Sequence, residues 1–270
     1  MKIASFNVNS VRVRLNHLLD YLEDESPDIV GLQETKVTDK DFPREPFEKA
    51  GYRVFCFGEK SYNGVALITK EEPVMIQNGF KDDRPDDQKR FQLASFALPG
   101  GKELNLINGY FPQGETRDHP VKFPLKMAFY DKIMETLDEL DPNESLVVMG
   151  DLNISPHDSD IGIGEKNAAR WLKEGKCSFL PEERERITQL REWGLFDSFR
   201  EKYPLVTDRY SWFDFRSRGF EDQPKRGLRI DQIWVTKSLM DKCVDTGIDY
   251  HMRGLPRPSD HCLIWAEFQL

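Results

Sequence analysis

The apolar run Leu146-Val147-Val148-Met149 stops abruptly at Gly150-Asp151-Leu152-Asn153, and the same punctuation recurs along the chain. Asn7 and Asn9 follow the run over 3–6, Glu34 follows 29–32, Asp231 sits beside Ile230, and Asp260-His261 precede the run over 263–265. A strand that ends in a carboxylate or a carboxamide carries that group to the edge of its sheet, where water, metal and phosphate can meet it. Several such ends in one fold describe a polar, acidic pocket suited to phosphate-ester chemistry.

The runs themselves define the architecture. Segments 3–8, 29–34, 52–57, 64–69, 91–97, 104–109, 146–150, 229–235 and 261–268 read as strands. Segments 11–25, 122–140, 165–174 and 182–193 read as helices, the last stopped by Gly194. So much strand exceeds what one doubly wound sheet holds. Two mixed sheets packed face to face with helices outside accommodate it, so the expected fold is a four-layered α/β/β/α sandwich. No low-complexity linker interrupts the 270 residues, and residues 1–270 read as a single domain. The fragments Phe6-Asn7-Val8-Asn9-Ser10 and Asp151-Leu152-Asn153-Ile154-Ser155 echo each other, a short match that fits two halves related by a pseudo-two-fold.

Charge and cysteine usage narrow the class. A formal charge of -9 argues against a protein that coats nucleic acid. Yet Arg209, Arg216, Arg218, Lys225, Arg226 and Arg229 gather in one aromatic-rich stretch, which allows a single basic face. Cys56, Cys177, Cys243 and Cys262 show no C-x-x-C spacing, so they read as reduced, buried thiols and not as a zinc or redox motif. No stretch approaches the roughly 20 apolar residues of a membrane span, and the N-terminus begins like a strand without a signal peptide's features. The expectation is a cytoplasmic protein with no membrane partner.

Glu34, with Asn7 beside it, offers the hard oxygen ligands that Mg²⁺ prefers. Asp151 is the candidate for taking a proton from water. Asn153 cannot be a base; its amide can donate to a phosphoryl oxygen or its oxygen can ligate a metal. Asp231 is placed to orient His261 and fix its tautomer. Asp260 and His261 are adjacent, and neighbours on a strand point to opposite faces unless the backbone bends. Ser259, Asp260 and His261 are not a protease triad, which is defined by geometry and not by adjacency.

These motifs, in this order, closely resemble the exonuclease III family of abasic-site DNA endonucleases, within the endonuclease/exonuclease/phosphatase superfamily. The most specific stretches are Ser5-Phe6-Asn7-Val8-Asn9, Gly31-Leu32-Gln33-Glu34-Thr35-Lys36, Asn108-Gly109-Tyr110-Phe111-Pro112-Gln113-Gly114, Met149-Gly150-Asp151-Leu152-Asn153-Ile154-Ser155-Pro156, Gly227-Leu228-Arg229-Ile230-Asp231 and Pro258-Ser259-Asp260-His261. The resemblance implies that Glu34 is the principal Mg²⁺ ligand, that Asn7 and Asp260 lie nearby, and that Asp151, Asn153 and Asp260 make further metal contacts, with Mn²⁺ able to substitute. It also implies that Asp151 activates water, Asn153 stabilises the transition state, Asp231 supports His261, and Tyr110 is the catalytic tyrosine.

The stretch 209–229 resembles the family's lesion-recognition loop. An abasic sugar flips from a duplex at reduced cost and enters a small aromatic pocket that an intact nucleotide overfills. Trp212 and Phe213 are expected to line that pocket, Leu228 to contact the DNA, Arg209, Arg216 and Arg229 to hold the nearby strand, and Arg90, Lys122 and Lys126 to track the backbone. Two departures stand out: Ser10 where the family often has Gly, and a slightly longer stretch over 221–226 beside the pocket. The implied protein is a monomeric DNA repair nuclease acting on duplex DNA with abasic sites or 3′ ends, with abasic-site, 3′ exonuclease and 3′-phosphatase activities. Two alternatives share or lack the hydrolytic core: a phosphodiesterase or phosphatase acting on lipid head groups or small phosphate esters, and a non-catalytic nucleic-acid-binding module. The aromatic, basic stretch favours DNA over lipid, and the intact set Glu34, Asp151, Asn153, Asp231 and His261 speaks against loss of catalysis.

Overall fold

Apolar runs buried on both faces dictate the layers seen in a computed structural model, which describes residues 1–270. In chain order the first half holds β1 (Lys2–Asn7), α1 (Val11–Glu25), β2 (Ile29–Gln33), α2 (Arg44–Lys49), β3 (Arg53–Phe57), β4 (Val65–Thr69), β5 (Met75–Asn78), β6 (Phe91–Leu98) and β7 (Lys102–Tyr110). The second half holds α3 (Lys122–Leu137), β8 (Ser145–Asp151), α4 (Glu165–Lys173), α5 (Pro181–Trp193), β9 (Leu195–Asp197), α6 (Ser198–Lys202), β10 (Asp231–Thr236), α7 (Lys237–Met240), β11 (Cys243–Asp249), α8 (Tyr250–Gly254) and β12 (Leu263–Phe268). Two six-stranded sheets result, ordered β11-β12-β1-β2-β4-β3 and β5-β6-β7-β8-β10-β9. Each mixes parallel and antiparallel pairs, and helices cover the outer faces, as the four-layered expectation required.

The core divides accordingly. Ile3, Leu67, Leu106, Val147, Met149 and Ile233 meet between the sheets. Val11, Leu18 and Leu22 of α1 cover the first sheet, while Phe129, Ile133 and Leu137 of α3, with Ile187 and Leu190 of α5, cover the second. Strands β2 and β4 are buried at every residue because both faces are covered, which is why they read as unbroken apolar runs. The sheets approach closely enough that a Cβ at Gly31 would lie 2.5 Å from the Met149 side chain. Gly150, at φ 143°, faces Gly109, and a Cβ there would fall 1.9 Å from the Gly109 carbonyl oxygen.

Three strands lie outside the expected set: β5 and β11 at sheet edges, and the three-residue β9. Edge strands are half exposed and carry polar residues, so no apolar run marks them. The expected helix over 122–140 stops at Leu137, and the last two expected strands begin two residues late, at Asp231 and Leu263. No helix is long and apolar enough to cross a membrane. All four cysteines are free and buried.

The two central strands are topologically alike. β1 pairs parallel with β2 and antiparallel with β12, and β8 pairs parallel with β7 and antiparallel with β10. The echo between 6–10 and 151–155 therefore falls at matching strand ends, one in each sheet.

Candidate active site

Parallel pairing aligns the C-terminal ends of β1 with β2 and of β7 with β8, and the antiparallel β12 and β10 bring their first residues alongside. The two groups of ends meet across the sandwich. Asn7 Nδ2 donates to Glu34 Oε1 and to Asp151 Oδ2, each at 3.0 Å, so one amide ties the carboxylates of both sheets. The Tyr110 hydroxyl donates to Glu34 Oε1 at 2.7 Å. Below them Gln33 Nε2 donates to Asn108 Oδ1 at 2.7 Å and to Ser5 Oγ at 3.0 Å, a buried polar strut between the sheets.

His261 Nδ1 lies 2.9 and 3.0 Å from the two Asp231 oxygens, which leaves Nε2 facing inward, 3.8 Å from Asp151 Oδ2. Asp151 Oδ1 accepts from the Asn153 N–H at 3.1 Å, and Asn153 Nδ2 donates to the Phe111 carbonyl at 2.9 Å. Glu34 (φ 53°) and Asn153 (φ 55°) both adopt left-handed backbone immediately beyond their strands. For a glutamate this conformation costs on the order of 1 kcal/mol or more, and it is held where side-chain direction matters.

Burial and charge set the protonation states. Burial pushes Asp151 up to about 7, with His261 opposing and Asp231 adding to the rise. Burial alone would lower His261, but the carboxylates of Asp231 and Asp151 outweigh it and raise the imidazole to about 10. Burial, reinforced by Glu34, holds the Tyr110 phenol well above its ordinary value, so it stays a neutral donor. Burial would raise Glu34, yet the Lys36 ammonium, 2.8 Å from Oε2, and the Asn7 amide bring its carboxyl below the usual range.

Glu34, Asp151 and His261 each present a ligand atom within 4.8 Å of the others. The two carboxylates suit a hard divalent cation, and no thiolate competes. The Lys36 ammonium beside Glu34 already supplies a positive charge where the acidic cluster requires one. Asp260 stands apart from this cluster, because its oxygens accept from Asn9 Nδ2 at 2.9 Å and from Trp212 Nε1 at 3.1 Å. It and His261 nevertheless line the same cavity of about 200 Å³. The backbone bends over 259–261 ahead of β12, which lets neighbouring side chains turn to one site.

That cavity is lined by the carboxylates of Glu34, Asp151 and Asp260 and by one apolar cluster, with Trp171, Trp212, Leu228 and Ile230. Gln113 and Ser178 complete the lining. Gln113, Trp171, Ser178 and Ile230 lie outside the site residues expected from sequence. An indole two residues from the end of an amphipathic helix gives no sign that it reaches an active site.

Several of the residues expected to touch DNA are placed otherwise. Phe213 is wholly buried, packed edge-on against Tyr210, Phe220 and Tyr250, so Trp212 lines the pocket and Phe213 supports the loop from behind. Arg229 is equally buried; it donates to Asp160 at 2.7 and 3.2 Å and to Asp197 at 3.1 and 2.5 Å, which excludes it from the DNA face. Lys126 is 0 % exposed and ion-paired with Glu183 at 2.5 Å, so it cannot track a phosphate backbone. Sequence shows the sign of a charge but not its distant partner. Arg90 stacks on the Tyr110 ring at 4.3 Å and donates to its carbonyl, which makes it a support for that tyrosine at the rim. Lys122, Arg209 and Arg216 are exposed, and Leu228 lines the cavity.

The profile of the Endonuclease/Exonuclease/phosphatase family matches residues 4–261. Exodeoxyribonuclease III of Haemophilus influenzae is 51% identical over 270 residues, covering 100% of both chains. Among solved structures, the 3′ phosphatase NExo from Neisseria, bound to a product DNA hairpin, superposes with TM-score 0.89 at 35% identity, and an AP endonuclease from Archaeoglobus fulgidus with TM-score 0.89 at 33% identity; each covers 100% of both chains. The chain belongs to the endonuclease/exonuclease/phosphatase family. Within it the protein is a DNA repair nuclease, a divalent-metal-dependent hydrolase of phosphate esters.

Proposed function

We propose that residues 1–270 act as a single, monomeric catalytic domain that uses Mg²⁺, or Mn²⁺ in its place, to cleave duplex DNA on the 5′ side of abasic sites and to trim 3′ ends, including 3′ phosphates. The observation that carries this reading is the mixed lining of the cavity: carboxylates able to hold a cation beside a phosphate, and a cluster of indole and aliphatic groups that fits a sugar without its base. The DNA-bound 3′ phosphatase and the AP endonuclease to which the chain is similar support both ends of that range.

On this reading Glu34 is the principal metal ligand, with Asp151 completing the acidic cluster and Asn7 holding the two in register. The bound ion would neutralise phosphate charge and lower the cost of forming hydroxide. Asp151 takes the proton from the attacking water. Asn153 donates to a phosphoryl oxygen as charge builds there. His261, oriented by Asp231, presents Nε2 to the phosphate, and the Tyr110 phenol donates beside it. Incubating the purified protein with an end-labelled duplex carrying one abasic analogue, with Mg²⁺ or with excess chelator, tests the reading. Incision 5′ of the lesion only in the presence of metal is expected; incision in chelator, or none on the abasic duplex, would refute it.

A further inference from the structure

Nothing in the hydrolytic scheme uses Trp171, yet its placement is tightly specified. It comes from α4, a surface helix with no fully buried residue, which is bounded by two glycines in left-handed backbone, Gly164 (φ 84°) and Gly175 (φ 65°). The helix touches the body of the protein through Ala168 and Trp171, which pack on Phe179, Leu228 and Ile230. The Trp171 ring stacks parallel to Phe179, 5.8 Å between centroids at 4°, and the Lys176 ammonium lies 5.5 Å from the indole centre. Main-chain bonds fix the end of the strap: Lys176 N–H to the Trp171 carbonyl, and Arg117 N–H to the Gly175 carbonyl. Trp171 is thereby anchored to the segment just beyond Gln113, another residue of the cavity wall.

We propose that Trp171 is a specificity-determining residue of the nuclease: it closes the apolar end of the cavity and sets the size limit that separates a baseless sugar from an intact nucleotide. This inference rests on the abasic-site reading above. Trp171 and Trp212 line one cavity and pack on one apolar cluster. The Trp212 indole N–H donates to Asp260 Oδ2 at 3.1 Å, which fixes the orientation of that ring. Trp171 donates no hydrogen bond from its indole and fills its space by volume alone. The discrimination it exerts is therefore steric: a sugar edge fits against the indole, and a base must displace it.

The test compares kcat/KM for two duplexes that differ at one position, a tetrahydrofuran abasic analogue or thymidine, using wild type, Trp171→Phe and Trp171→Ala. Opening the wall should lower the abasic-to-intact ratio about tenfold or more, the scale on which an apolar pocket discriminates by size. The change should come mainly from faster incision of the intact duplex, with Trp171→Phe intermediate. A ratio that stays constant in folded variants, or equal losses on both substrates, would overturn the proposal and leave Trp171 a packing residue. If Trp171→Ala fails to fold, judged by near-UV circular dichroism, Trp171→Leu carries the comparison. Should wild type fail to incise the abasic duplex at all, the proposed lesion activity falls, but the size limit is still read at a 3′ end, as release of a terminal baseless sugar against a terminal nucleotide.

Discussion

Replacing Lys126 with methionine separates a buried structural charge from a DNA contact. Its ammonium donates to Glu183 Oε1 at 2.5 Å, to the Asn153 carbonyl at 2.8 Å and to the Gln113 carbonyl at 3.3 Å. Glu183 Oε2 in turn accepts from the N–H groups of Ser178 and Leu180, each at 2.8 Å. Three loops at the cavity floor thus share one ion pair with no access to water. Methionine fills the same space but leaves Glu183 buried without its cation, a change that costs about 3–5 kcal/mol. For a chain of this size that lowers Tm by roughly 10 °C. Loss of the bond to Asn153 should also loosen the left-handed backbone at that residue and reduce kcat by on the order of 10-fold or more. DNA affinity and its salt dependence should not change. The Lys126→Met, Glu183→Gln double variant should lose less stability than the sum of the two singles, because the orphaned charge is gone. Thermal unfolding, steady-state kinetics on a 3′ end, and binding titrations over a salt series measure all three quantities. A phosphate contact would give the opposite pattern: near-normal Tm and a salt slope shallower by about 0.9. That result would refute the buried-pair account.

Other outcomes follow from the same geometry. Activity should require a divalent cation and vanish in chelator, and Glu34→Ala should raise the Mg²⁺ concentration needed for half-maximal rate, read from a metal titration; full activity in chelator would contradict the acidic cluster's role. Asp151→Asn, Asn153→Ala and His261→Asn should each lower kcat by on the order of 10²-fold while sparing DNA binding, and double variants should lose less than the product of the singles. Trp212→Ala should weaken discrimination between abasic and intact duplex in binding titrations, whereas Phe213→Ala should chiefly lower Tm, because only Trp212 faces the cavity. Burial would raise the Asp160 carboxyl, but Arg229 and Arg200 hold it below the usual range. Its stabilising contribution is therefore present above the ordinary aspartate value and lost as pH falls through the lowered one, so Asp160→Asn should flatten the acid limb of a Tm-against-pH curve.

What the sequence could reveal depended on how local each signal is. Strand-end acids such as Glu34, Asp151 and Asp231 were legible because the apolar run before or after them fixes both their element and their place at its end. The four-layered order followed from runs buried on two faces, which β2, β4 and β8 display directly. Lys126, Arg229 and Phe213 lie elsewhere than sequence suggests because their partners, Glu183, Asp160, Asp197 and Tyr250, are distant along the chain, and a cationic or aromatic residue looks the same whatever it meets. Lys36 and Trp171 were missed for the same reason. The first matters because left-handed backbone at Glu34 and at Lys36 itself (φ 57°) returns its ammonium to the strand end, the second because a short helix folds back over the cavity.

The bend at 259–261 ties the segment that carries Trp212 to those that carry Asn7, His261 and Asp231 through backbone. Ser259 Oγ donates to the Asn7 carbonyl at 2.7 Å and accepts the His261 N–H at 3.2 Å, which holds the bend against the end of β1. From the other side, the Phe213 N–H donates to the Asp260 carbonyl at 2.9 Å, and the Cys262 N–H to the Ser211 carbonyl at 2.6 Å. Ser211 Oγ accepts from both Ile230 and Asp231 N–H groups, at 3.0 and 2.9 Å. The segment carrying Trp212 is thus bonded on one side to the residue pair that holds Asp260 and His261 and on the other to the strand that supplies Asp231. Asp260 closes the circuit by accepting the Trp212 indole N–H. Within this frame the segment that carries Trp212 is bonded directly to those that carry His261 and Asp231. On the proposed reading, a sugar seated against Trp212 is therefore in register with the phosphate site, and one held off by a base is displaced from Asp151 and Asn153 by the same frame.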